Sequence, residues 1–305
     1  MKRFVIYTIM VGAYGEIHQP SYIDDRFDYV LFSNEYKEPN VGIWRVLPIP
    51  FPEEIDRKDN KRLSRYPKTH PETMLSNYEA SLYIDANIQI MDQWVYNRFV
   101  DLVTRKVDYA GIQLVVTGRD CIYRHSYDMC ITRCENDLNA MPQLQALRKE
   151  NFPDHFGLNE NNVIFRRHTA KMQQVDELWW QWIVKYSFRD QFSYMYCLWK
   201  HQIPIEYFLP SGEDSHNSVH FKYYMHSENV FVAKQRRVKH NVLELLRNKC
   251  RTLTKFHRKY YELEWIFFSK LKYPQIYMVF SGIIAVLVNA PLLIMKAGYR
   301  YFKYR

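Results

Sequence analysis

Apolar runs of five to eight residues recur along the first 210 positions, separated by longer stretches in which apolar side chains return with helical spacing. The runs Phe4–Val11, Tyr29–Ser33, Trp44–Ile49, Ser81–Asp85, Tyr109–Val116, Asn162–Arg166 and Ile205–Leu209 are predicted strands, rich in the β-branched and aromatic residues that pack on a pleated surface. Between them the spacing predicts helices over Lys61–Ser76, Gln93–Thr104, Asp128–Lys149, Ala170–Tyr186 and Asp190–Lys200. The first of these is broken near Pro67 and Pro71, since proline lacks an amide donor and crowds the preceding turn. Such alternation predicts an α/β fold: a mixed, mostly parallel sheet covered by helices, in one domain over residues 1–229.

Beyond residue 229 the pattern changes. Val238, Val242, Leu245, Leu246, Leu253, Phe256, Tyr260, Leu263 and Phe267 recur at three-, four- and seven-residue intervals, with Lys and Arg filling the positions between them. This reads as a basic amphipathic helix of the kind that lies in a membrane interface; a helix packed on the domain with a solvated basic face is the competing reading. Residues 276–295 then carry no charge, a length that crosses a bilayer or, kinked at Pro291, dips into one leaflet and returns. From Val230 onward 16 Lys/Arg face three Glu, whereas residues 1–229 hold 26 basic and 30 acidic residues. The overall charge of +9 therefore belongs to the tail. A basic segment beside an apolar one suits an anionic membrane surface better than nucleic acid, which is more often met by basic residues spread through a folded domain.

Composition narrows the class further. Nine glycines, 16% aromatic and 25% charged residues in 305 describe a globular chain, not a disordered one. The five cysteines are scattered without Cys-x-x-Cys spacing, as free thiols in a reducing compartment are. Met1-Lys2-Arg3 and the apolar run after it imitate a short signal peptide, but the run's Tyr, Thr and β-branched content fits a first strand better. Gly12-Ala13-Tyr14-Gly15 lacks the Gly-x-Gly-x-x-Gly spacing, which argues against a dinucleotide site.

Candidate chemistry begins at Leu82-Tyr83-Ile84-Asp85-Ala86-Asn87, where a buried strand ends on a carboxylate and an amide, as ligand-binding edges of open sheets do. Asp85 and Asn87 suit a Mg²⁺ or Mn²⁺ ion completed by substrate phosphates; an Asp-x-Asn that merely starts a turn is the alternative. Arg62, Arg65 and Lys68 place three cations just before it, as a diphosphate requires. Asp190, at a predicted helix start, is a candidate to take a proton or stabilise a cationic transition state; a helix cap is its structural role. Trp179, Trp180 and Trp182 offer a sugar-stacking surface or core. Of His216, His220 and His226, His220 or His226 is the expected late metal ligand.

In order along the chain, these segments resemble the glycosyltransferase-like family of bacterial polysaccharide loci and of plant pectin and mucilage synthesis. The resemblance runs through Tyr7-Thr8, Gly12-Ala13-Tyr14, Asp28-Tyr29-Val30, Arg62-Leu63-Ser64-Arg65 with Lys68, Tyr83 to Asn87, Arg119 to Tyr123, Gly157 to Arg166, Trp179-Trp180 and Arg189 to Ser193. It implies a GT-A-like fold and transfer of a hexosyl or uronosyl group from a nucleotide sugar, UDP-linked, to a glycan or lipid-linked acceptor. On this reading Thr8 and Tyr14 line the base and ribose site, and Arg62, Arg65 and Lys68 hold the diphosphate. Asp85 meets metal or ribose, Asp190 and Gln191 face the reacting sugar, and Glu160 and Asn162 lie near the acceptor. The chain departs from the family at Gly15-Glu16, at Arg124 and His125 where acidic residues are common, and at Asn87 in place of a second Asp. Together with the tail, this predicts an enzyme of the cytoplasmic face of a bacterial inner membrane. A nucleic-acid-binding protein and an inactive membrane scaffold are the rival classes.

Overall fold

β1 (Phe4–Ile9) is the strand around which the sheet is built: Val5, Ile6 and Tyr7 are fully buried, because both faces of a central parallel strand are covered. The computed structural model describes residues 3–12, 15–114, 120–131, 135, 137–224 and 287. β2 (Phe27–Phe32) and β5 (Ala80–Ile84) flank β1 in parallel, and β4 (Trp44–Leu47) lies parallel outside β2, with the two-residue β3 (Asn40–Val41) antiparallel at the edge. On the other side the order continues β5, β8 (Asn159–Arg167), β7 (Tyr109–Gln113), β9 (Glu206–Tyr207). β8 runs antiparallel to both neighbours. Its first residues therefore stand beside the last residues of β1, β5 and β7, at the edge where parallel sheets bind ligands.

β8 is also irregular there. The partner of β7 jumps from Ile164 to Glu160 between Gly111 and Ile112, which puts Asn161–Val163 into a bulge. A separate ribbon pairs β6 (Ile88–Ile90) with β10 (Phe221–Tyr223) and returns the late chain to the end of β5.

Three helical pieces precede β5: α1 (Asn60–Leu63), a 3₁₀ turn over Pro67–Thr69, and α2 (Pro71–Met74). The two prolines divide what the pattern reads as one helix, as expected. α3 (Trp94–Thr104) buries Val95, Phe99 and Leu102 against one sheet face, with the Phe99 ring 4.9 Å from those of Phe27 and Phe165. The helix expected over Asp128–Lys149 is two, α4 (Ile122–Ile131) and α5 (Asp137–Lys149). α6 (Ala170–Lys185) is capped by Thr169, whose hydroxyl accepts from the Met172 amide, and it buries Met172, Val175, Trp179 and Ile183. α7 (Tyr194–Lys200) follows a 3₁₀ turn at Asp190–Phe192.

A charged residue sits inside this packing. Arg166 of β8 is fully buried and bonds Asp176 of α6 at 2.6 Å and the Tyr7 hydroxyl, so the arginine is paired as a buried charge must be.

By its contact pattern the chain divides into two units, Met1–Asp120 with His155–Lys234 and Cys121–Asp154 with Gln235–Arg305. In that second unit the Arg148 guanidinium lies 3.4 Å over the Tyr123 ring and pairs with Asp154 at 2.6 Å. Among the described residues no helix is long and apolar enough to cross a membrane. Apart from Leu287, the amphipathic and apolar tail of 230–305 lies outside the described residues.

Candidate active site

The chain leaves β5 at Asp85, whose amide donates to the Asn162 carbonyl of β8 at 2.8 Å. Tyr83 lies on the same face two residues earlier and donates its hydroxyl to Asp85 Oδ1. The 3₁₀ turn brings in Lys68, only 2% exposed, with Nζ 2.5 Å from Asp190 Oδ2, 4.0 Å from Asp85 Oδ1 and 4.5 Å above the Tyr83 ring. Arg65 Nε approaches the same Asp190 oxygen at 3.4 Å. Asp190 Oδ1 has no hydrogen-bond partner among the described residues. Trp179 fixes the Asp190 main chain by donating Nε1 to its carbonyl at 3.0 Å.

Electrostatics follow from this arrangement. Burial works to raise the Asp190 carboxyl, but Lys68 and Arg65 outweigh it and hold the group below the ordinary carboxylate range. Burial pulls Lys68 down and Asp190 and Asp85 pull it back, a net lowering. Tyr83 is pushed well up by burial and by the Asp85 charge, which keeps its hydroxyl a donor. Asp190 is thus held in its carboxylate form more firmly than a free carboxyl, better suited to stabilising positive charge than to taking a proton.

A second group stands at the start of β8. Glu160, Asp214 and His216 bring one ligand atom each within 4.8 Å of one another, with His216 Nδ1 3.4 Å from Glu160 Oε1. Ser215 donates to Glu160 Oε2 at 2.8 Å, and Asn162 Nδ2 bonds Ser215 at 2.7 Å and Glu160 Oε2 at 3.2 Å. Asp214 Oδ1 accepts the amides of His216 and Asn217, an Asx turn that fixes the carboxylate. Its Oδ2 is buried without a hydrogen-bond partner among the described residues, as is Asn162 Oδ1. Buried oxygens are rarely left so, and these two, one of them in the Asp214 carboxylate itself, together with Glu160 and the His216 imidazole fit a divalent cation such as Mn²⁺ or Mg²⁺. Because Asp85 and Asn162 are cross-strand neighbours, the two groups adjoin at one sheet edge.

The model of the "TOD1/MUCI70, glycosyltransferase-like domain" family matches residues 21–226, which include both groups. The chain belongs to this family. Its α/β sheet, mixed and mostly parallel with flanking helices, is the GT-A-like architecture that membership carries. The mannosyltransferase Ktr4p from S. cerevisiae aligns with 61% of this chain at 10% identity and a TM-score of 0.37, too slight a likeness to carry argument. The alignment spans 62% of that protein's length. No curated protein matches.

Within the TOD1/MUCI70 domain the residues expected from sequence fall in different places. Arg65, Lys68, Asp85 and Asp190 meet as described. Arg62 does not join them: its guanidinium donates to the carbonyls of Ile183 and Tyr186 at 2.9 and 2.8 Å and pairs with Asp59, clamping the end of α6. Three of its five N–H groups are spent on these protein oxygens. Lys68, expected on the diphosphate, is instead turned inward to Asp190. Thr8 is 1% exposed in β1, its hydroxyl buried and without a hydrogen-bond partner among the described residues, and Tyr14 lies outside them. Gln191 donates to the Asn159 carbonyl at 3.1 Å. All three tryptophans are core, at 0, 5 and 9% exposed, so none is a sugar platform.

The expected metal ligands also separate. Asn87 closes the β6–β10 ribbon by donating to the Tyr224 carbonyl at 3.0 Å. His220 pairs with Asp92 at 2.8 Å and stacks on Trp94 at 4.1 Å. It stands opposite Met91, four ribbon positions or about 13 Å from Asn87. His226 lies outside the described residues. His216, not His220, joins two carboxylates. Asp214, absent from the candidates read from sequence, completes this group, and Asp214-Ser215-His216 just after the last predicted strand is the signal that marks it.

Proposed function

We propose that this chain transfers a hexosyl or uronosyl group from a UDP-linked donor to a glycan or lipid-linked acceptor in surface polysaccharide synthesis. The observation that supports it is the meeting of Arg65, Asp85 and Asp190 with the Glu160–Asp214–His216 group at one sheet edge, in a glycosyltransferase-like domain. Arg65, whose side chain is 28% exposed, neutralises the departing diphosphate, and Asp85, 41% exposed, receives the ribose hydroxyls. A divalent ion held by Glu160, Asp214 and His216 supplies Lewis-acid stabilisation of the leaving group when bound. Asp190 stabilises the positive charge that develops on the sugar as the glycosidic bond breaks, and Gln191 offers its carbonyl oxygen to a sugar hydroxyl. The basic, apolar tail supports work at a membrane, at the cytoplasmic face of a bacterial inner membrane.

A panel of nucleotide sugars tests this, read as thermal stabilisation and as release of nucleoside diphosphate, with and without Mn²⁺. Stabilisation by a UDP-sugar and turnover that needs the metal are expected. No response to any member of the panel overturns the reading.

A further inference from the structure

Resting on the transferase reading of this site, we infer that Lys68 is a positioning residue that assigns the two oxygens of Asp190 to different tasks, Oδ2 to the protein and Oδ1 to the substrate. A lysine that binds a phosphate must present its ammonium to the ligand. Lys68 presents it elsewhere: it is 2% exposed, its Nζ is spent on Asp190 Oδ2 at 2.5 Å, and the Tyr83 ring and Asp85 Oδ1 close its other sides. Arg65 adds its Nε to that same oxygen, while Oδ1 takes no bond from any described residue.

One-sided pairing of this kind has a chemical consequence. A carboxylate pinned through one oxygen by two cations has its rotation restricted, so the other oxygen is held toward one position with its share of the negative charge available to a cationic sugar carbon. Lys68 also spans the two acids, Asp190 after α6 and Asp85 at the end of β5, whose like charges would otherwise drive the elements apart. Arg65 cannot replace it, being farther from Asp190 and partly exposed. The ammonium thus acts on the reaction through Asp190 without touching the donor.

Steady-state kinetics of the full chain test this with Lys68→Met and Lys68→Arg. The expected result for Lys68→Met is a fall in kcat of roughly 10- to 100-fold with the UDP dissociation constant changed less than about 3-fold, because only transition-state stabilisation is lost. Lys68→Arg, which restores the charge, should recover part of kcat. A lysine that grips the diphosphate gives the opposite split, with weakened UDP binding, and overturns the inference. So does an unchanged kcat in Lys68→Met. Should Lys68→Met fail to fold, Lys68→Arg decides alone: kcat below wild type at unchanged UDP affinity supports positioning, and kcat equal to wild type overturns it. A wild-type chain inactive with every donor overturns the transferase reading and this inference together, whereas an active wild type with an undiminished Lys68→Met overturns the inference alone.

Discussion

Replacing Asp190 by Asn keeps the shape of the side chain and removes its charge, which separates electrostatic work from packing. The variant should lose roughly 10²- to 10³-fold in kcat at near-normal UDP affinity, measured by diphosphate release. Its partner ion pair also makes stability depend on pH. Since the Asp190 carboxyl is held below its ordinary value when folded, the stabilisation is present above the unfolded value and is lost as pH falls through the folded one. The stability gap between wild type and Asp190→Asn, followed by chemical denaturation, should therefore narrow in acid. His216→Ala and Glu160→Gln address the neighbouring group. Either should abolish the rise in melting temperature that Mn²⁺ gives the wild type, and retention of the full shift in both would remove the metal assignment.

Among elements, the long strands were legible because each is a short apolar run, and their order of appearance already announces an α/β sheet. Direction was not legible. An apolar run reads the same whichever way its strand points, and the reversal of β8 is what carries Glu160 and Asn162 to the ligand edge. The ribbon of three-residue strands escaped notice because Ile88–Ile90 and Phe221–Tyr223 are too short to show a period. Charge without burial misled in another way: Arg62, Arg65 and Lys68 look alike in sequence, yet one clamps a helix, one is half-free and one is interior. Arg62→Ala should therefore cost about 1–3 kcal/mol of stability, through carbonyls of α6 left bare, without weakening UDP binding. Isothermal titration beside a denaturation curve distinguishes that from a phosphate contact. Beneath the sheet, burial raises the carboxyls of both Asp176 and Glu72, against the pull of Arg166. Raised acids contribute stability that is complete below their unfolded values and lost as pH rises toward the folded ones. Asp176→Asn, which removes this titration, should flatten the alkaline side of the stability profile.

For the whole molecule, the segregation of charge matters more than its sum. A front of 26 basic and 30 acidic residues gives little attraction to an anionic surface, whereas 16 Lys/Arg against three Glu after Val230 gives much. The full chain should sediment with vesicles containing an anionic lipid, release as salt is raised, and ignore zwitterionic vesicles. Equal binding to both would point away from an electrostatic tail.

The β6–β10 pairing has a consequence for how the protein is made. Chains emerge from the ribosome amino end first, and domains tend to fold in that order. A nascent chain extruded as far as Leu209 already contains Arg65, Lys68, Asp85 and Asp190, but neither Asp214 nor His216. Translation thus delivers the charged cluster and Glu160 before Asp214 and His216, and on the proposed assignment a newly synthesised molecule can hold a cation only once the segment leading into the closing ribbon has been made.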